Sequence, residues 1–175
     1  MRRLLLFRHS TAARAAPGES DQGRPLAAEG RADAAAMGAY LASHSFGFDR
    51  ALVSPSTRTR ETWRQLAAAL PEVPEPVFDE RMYNAAAQTL LTVLKQQPEQ
   101  ARTLLLIAHN PGLHELATML VATGDVDVRE ELRENFPTSG LAIIDFALDS
   151  WTKLHPRSGR LERFVGPKTI ATATN

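Results

Sequence analysis

The chain has 175 residues, 43% hydrophobic and 23% charged, which suits one soluble globular domain with a real buried core. Twenty basic residues balance twenty acidic ones, so no global charge attracts nucleic acid or an anionic membrane, and any affinity for anions must be local. The absence of cysteine excludes disulfides, thiolate metal sites and a cysteine nucleophile.

Arg2 and Arg3 followed by Leu4, Leu5, Leu6 and Phe7 open the chain like a signal peptide. Four apolar residues fall far short of the roughly 7–15 of such a segment, and no stretch reaches membrane-spanning length. A cytoplasmic protein is the expectation. Residues 4–7 form a short continuous apolar run, the pattern of a strand covered on both faces, and the run stops at Arg8-His9. Leu26, Ala34, Met37, Gly38 and Leu41 then share one helical face, opposite Glu29, Arg31 and Asp33. A second strand over 50–53 stops at Ser54-Pro55, and an alanine-rich amphipathic helix over 58–70 is closed by Pro71. The stretch 71–76 (PEVPEP) is linker-like but too short to divide domains. Residues 85–97 give Leu90, Leu91, Val93 and Leu94 a common stripe. The strongest strand signal, 103–108, stops at His109-Asn110-Pro111-Gly112, and a helix over 113–121 follows, with Gly124 placed to end it.

This alternation of strand and helix predicts an α/β fold with a largely parallel sheet. Toward the C-terminus, 141–147 and 150–155 read as neighbouring strands joined near Leu148-Asp149. Residues 161–165 add another strand, and the Thr- and Ala-rich stretch 169–175 reads as a loose tail of a single domain spanning 1–175.

Ligands of open parallel sheets sit beyond the carboxyl ends of the strands. Here those ends carry Arg8-His9, Ser54-Pro55-Ser56-Thr57-Arg58 and His109-Asn110. Each motif alone has a bland reading: a polar strand exit, an exposed arginine in a first helical turn beside an equivalent Arg60, a core histidine before a turn. If the strands are neighbours, two arginines and two histidines converge on one rim.

The segments "FRHSTAAR", "SDQGRPLAAEGRADAA", "LVSPSTRTRETW" and "LLLIAHNPGLHELA" resemble, in order and spacing, the motifs of the histidine phosphatase superfamily, the group that includes phosphoglycerate mutases and acid phosphatases. The short length, "HNPG" and "FPTSGLAIIDF" look most like its small SixA-type phosphohistidine phosphatases, and the resemblance runs from residue 3 to about residue 168. It implies a three-layer α/β/α sandwich of the phosphoglycerate mutase-like kind. One departure is Ser10, where the family usually has Gly after Arg-His; a small hydroxyl should still fit against a phosphate.

Carried over residue by residue, the resemblance makes His9 the nucleophile that takes a phosphoryl group, with Arg8, Arg58 and a protonated His109 around that group. Elementary chemistry agrees: a neutral imidazole is a competent nucleophile at pH 7, and two guanidinium forks match phosphoryl oxygens. No metal or other cofactor is then expected. Glu80, in "DERMYNA", matches the acid of the mutase branch, yet it reads equally as a solvated loop charge beside Asp79. Ser10, Thr11, Asn110 and Ser139 are candidate phosphate contacts, with Thr138 and Gly140 approaching from the last part of the sheet. Asp21 and Arg24 are expected to hold a loop. His44, His114 and His155 read as surface residues.

The expected substrate is phosphohistidine in a protein, or alternatively a small phosphate ester or nucleotide; a mutase is disfavoured because the chain lacks long enclosing insertions. Outside that class stand a non-catalytic phosphoprotein-binding module and a metallohydrolase using His9, His109 and a carboxylate. Two arginines beside such a cation would oppose the latter.

Overall fold

In the computed structural model, which describes residues 1–173, seven strands form one sheet in the order β3-β2-β4-β1-β6-β7-β5. The strands are β1 (Arg2–Arg8), β2 (Arg50–Val53), β3 (Pro76–Phe78), β4 (Thr103–Ala108), β5 (Val121–Gly124), β6 (Leu141–Phe146) and β7 (Gly159–Val165). The sheet is mostly parallel: β6 alone runs against its neighbours β1 and β7. The helices are α1 (Ala28–Ser43), α2 (Thr57–Ala68), α3 (Ala87–Lys95), α4 (Gly112–Leu120), α5 (Val126–Glu134) and α6 (Pro167–Ala173).

The continuous apolar runs have the physical cause anticipated for them, because side chains alternate across a strand and both faces are covered. Leu5 and Phe7 pack with Met37 and Leu41 of α1 and Trp63 and Leu66 of α2. Leu4 and Leu6 face the other way, into Leu90 and Leu94 of α3, Leu113 and Leu116 of α4, and Leu132 of α5. This is the expected three-layer α/β/α arrangement.

Several elements depart from the sequence reading. Residues 150–155 are not a strand: Trp151–Lys153 is a 3-10 turn, started by the Ser150 side chain accepting from Thr152 N. Trp151 is fully buried there and donates Nε1–H to Ala101 O, so packing of one indole overrides the extended pattern. The helix that Gly124 was expected to close ends at Leu120, and β5 continues it as an edge strand parallel to β7. The linker-like stretch leads directly into β3, where Pro76 is the first residue of an edge strand, a place where its missing N–H is tolerated. Helix α5 follows β5, capped by Asp125, whose side chain accepts from Val128 N. The supposed tail is α6 as far as Ala173, with Ile170 packed on the core; residues 174–175 lie outside the described residues. His114 is half-buried rather than a surface residue, its Nε2 lying 2.5 Å from Leu132 O, while His44 and His155 are exposed. Among the described residues, no helix is long and apolar enough to cross a membrane.

Candidate active site

Strands β2, β4 and β1 are adjacent and parallel, and their register sets Val53, Ile107 and Phe7 side by side. Arg8 and Ala108 pair one step further on, so His9 and His109 leave the sheet together at the next residue, and Ser54 leaves β2 beside them. Arg58 joins them from the first turn of α2, whose N-cap is the Ser56 side chain accepting from Thr59 N. The rings of His9 and His109 lie with centroids 5.4 Å apart.

His9 is buried, and its Nδ1 lies 2.8 Å from Ser10 O. A carbonyl can only accept, so Nδ1 carries the hydrogen and Nε2 keeps its lone pair. Burial first, then the charges of Arg58, Arg8 and Arg24, push its pKa down to about 4, so the ring is neutral at pH 7.

His109 is surrounded differently. Arg58 Nη2, which can only donate, lies 3.3 Å from its Nδ1, and Ser54 Oγ lies 2.6 Å from its Nε2. The ring is therefore the Nε2–H tautomer with both nitrogens engaged. Burial, then the neighbouring His9 and Arg58, push its pKa down to about 3. The nearby Asp21 carboxylate pulls the other way but is outweighed, so the His109 expected from the sequence to be protonated in the complex needs a further anion beside it.

Arg8 donates Nη1–H to Phe136 O at 3.0 Å, while its buried Nε has no protein partner. Among the described residues no carboxylate pairs with it, which leaves a desolvated donor for an anion. Arg58 is tied on both nitrogens to Asp21, Nη1 to the backbone oxygen at 2.7 Å and Nη2 to Oδ2 at 3.2 Å. The expected Asp21–Arg24 pair is present at 3.3 Å.

The hydroxyl residues line the wall in pairs. Ser10 Oγ and Ser139 Oγ are 2.5 Å apart, and Thr11 Oγ1 and Thr138 Oγ1 are 3.0 Å apart. Ser10 N donates to Thr62 Oγ1, which in turn donates to Arg58 O, so the loop after β1 and α2 are pinned together. Ser139 has a left-handed backbone (φ 61) and gives its N–H to Arg8 O and His9 O. Asn110 Nδ2 shares Phe136 O with Arg8. A Cβ on Gly30 would come within 2.2 Å of Thr11 O, so glycine there lets α1 press on this loop. Beyond the Thr11–Thr138 pair lies a groove of about 740 Å³ between α1, α5 and α6, and it contains none of the four convergent residues.

Glu80 does not join the cluster by any bond: it is exposed, and its side chain has no hydrogen bond or ion pair among the described residues. Sequence reasoning missed Tyr83 instead. Its ring stands edge-on to His109, centroids 5.6 Å apart at 84°, and its hydroxyl donates to Asp21 Oδ2 at 2.5 Å. The available signal was the aromatic residue that follows the buried Met82.

Residues 4–112 match the family model of the histidine phosphatase superfamily (branch 1). An uncharacterised protein of Mycobacterium tuberculosis is 31% identical over 153 residues, covering 86% of this chain and 94% of that one. A crystal structure from Agrobacterium tumefaciens, assigned as the phosphohistidine phosphatase SixA, is 32% identical with a TM-score of 0.78, covering 95% of this chain and 98% of that one. The protein histidine phosphatase SixA complexed with tungstate has the same fold, with a TM-score of 0.77 at 21% identity, over 96% of this chain and 99% of that one.

Proposed function

Because the chain belongs to the histidine phosphatase superfamily, and is a hydrolase of the phosphatase type, we propose that it removes phosphoryl groups from phosphohistidine in a protein through an intermediate on its own His9. The observation that carries this reading is the His9 Nδ1–Ser10 O bond, which aims a neutral nitrogen lone pair into a pocket walled by two arginines. In the first step His9 Nε2 attacks phosphorus and the P–N bond to the substrate imidazole breaks. In the second, water attacks the phosphorus of phosphohistidine, inorganic phosphate leaves, and Nε2 regains its lone pair. Overall water supplies the hydroxyl to phosphate and the proton to the released imidazole.

Phosphoryl transfer needs positioning and charge neutralisation more than covalent help from the protein. Arg8 Nε and the Arg58 guanidinium supply fixed positive donors in a desolvated pocket, where each is worth more than in water. A phosphoryl dianion would draw Arg58 away from His109 Nδ1 and supply the opposing charge that lets His109 take a proton and donate. The substrate assignment is supported by the phosphohistidine phosphatase assignment of the Agrobacterium protein and by the lack of a bonded general acid, which an imidazole leaving group needs less than an alkoxide does.

The test is turnover of a phosphohistidine protein against a panel of alkyl and aryl phosphates, with rapid quench to trap the enzyme. Acid-labile phosphate should appear on His9, and His9→Ala should abolish both trapping and turnover. Full activity in that variant would remove the mechanism. Preference for an alkyl phosphate would replace the proposed substrate with a small ester.

A further inference from the structure

Asp21 is the contact that orients Arg58, yet it is a poor anchor by itself. It lies in an exposed 3-10 turn (Asp21–Gly23) between β1 and α1, and its side chain is 50% exposed. Ion pairs at such a position contribute little, because solvent competes for both partners. Something else has to fix the carboxylate.

Tyr83 has the required geometry. It follows the 3-10 turn Glu80–Met82, whose Met82 is fully buried. Two residues on, Ala85 is pressed against the start of α4: a Cβ on Gly112 would stand 1.9 Å from Ala85 O. This close approach holds the segment beside His109, with the Tyr83 ring edge-on to the imidazole. From there the phenol crosses to the β1–α1 loop and gives its proton to Asp21 Oδ2, the same oxygen that Arg58 Nη2 meets. At 2.5 Å it is the shortest bond this carboxylate makes; Arg58 and Arg24 stand at 3.2 and 3.3 Å. The Asp21 bond also raises the phenol pKa, so Tyr83 stays a donor at neutral pH.

Building on the phosphoryl-binding reading above, we infer that Tyr83 is a positioning residue that acts through Asp21 to fix how Arg58 presents its guanidinium to a phosphoryl group. The bond joins two loops on either side of the pocket, and neither Tyr83 nor Asp21 needs to touch the reacting atoms.

Tyr83→Phe removes the donor and keeps the ring against His109. It should be made in the parent chain and in an Asp21→Ala background. The readouts are tungstate affinity by calorimetry, kcat and KM on p-nitrophenyl phosphate, and urea unfolding. In the parent, loss of one charge-assisted bond should weaken tungstate binding about fivefold and raise KM similarly, with kcat changed by less than about twofold and an unchanged urea midpoint. In the Asp21→Ala background the same substitution should do nothing more, because coupled residues are non-additive. Unchanged tungstate affinity in Tyr83→Phe, an equal loss in both backgrounds, or a parent protein that binds no tungstate would each overturn the inference. Tungstate binding needs no turnover, so failure to trap phosphate on His9 would sink the proposed reaction while leaving this assignment to stand or fall by its own measurement.

Discussion

Replacing Arg58 by lysine keeps the charge and removes the fork. Arg58 is 5% exposed, and its two terminal nitrogens reach three acceptors: Asp21 O at 2.7 Å, Asp21 Oδ2 at 3.2 Å and His109 Nδ1 at 3.3 Å. A lysine ammonium is one point at the end of a flexible stem, so it cannot hold Asp21 and meet a phosphoryl oxygen with parallel donors. Losing one bond to a charged group is worth about 1.5–3 kcal/mol, and part of that is regained by the remaining charge. The expected loss in kcat/KM is therefore at least about tenfold, or roughly 1.4 kcal/mol of transition-state stabilisation. Arg60→Lys is the matched control. Arg60 donates to Pro55 O and lies 3.8 Å over the Phe78 ring, so its surroundings are structural. Losing that stacking should cost below about 1 kcal/mol of stability and change kcat/KM by less than about twofold. Both variants are assayed on an aryl phosphate and on a phosphohistidine protein, with urea unfolding alongside. Equal losses of kcat/KM at the two positions would refute the reasoning.

Acid should destabilise the fold through its two buried imidazoles. His9 and His109 have pKa values of about 4 and about 3 when folded, against the ordinary 6.5, so the unfolded chain binds more protons between these values. Their neutral-state stability is full above about pH 6.5 and is lost as pH falls toward 4 and then 3, and His109→Gln should escape about 2 kcal/mol of the loss seen in the parent between pH 7 and 4.5 by urea unfolding. Identical losses would show that His109 is not buried as a neutral ring. Glu80→Gln should leave kcat/KM on a phosphohistidine protein within about threefold, whereas a required general acid would lose about 10²–10⁴-fold; a collapse on that substrate would make Glu80 an acid the reaction needs.

The parallel core and the convergence of Arg8, His9, Arg58 and His109 were legible because each is written in contiguous sequence. An apolar run marks a strand covered on both faces, and the residue after the run marks its carboxyl end. What was not legible depended on packing. Residues 150–155 read as a strand neighbouring 141–147, yet Trp151 and Leu154 are the buried pair while Thr152 and Lys153 are exposed. That spacing of three suits a 3-10 turn rather than a strand, and only the pocket below Trp151 decides between them. The same holds for Tyr83: its place beside His109 follows from a close backbone approach at Gly112, which no local pattern announces.

The distinction between the two histidines lies deeper still. Both follow parallel strands, both are buried, and burial depresses both pKa values, so residue type and strand position do not say which one would attack in the proposed reaction. Their hydrogen bonds do. His109 has both nitrogens engaged, by Arg58 and by Ser54, and once a phosphoryl group draws Arg58 off, the proposed reaction has the freed nitrogen take a proton. His9 spends only Nδ1 on Ser10 O, and its Nε2 needs no such release. Under the proposed reaction the choice between the two histidines thus rests on a backbone carbonyl at Ser10, a residue held in turn by Thr62 at its N–H and by Ser139 against its side chain.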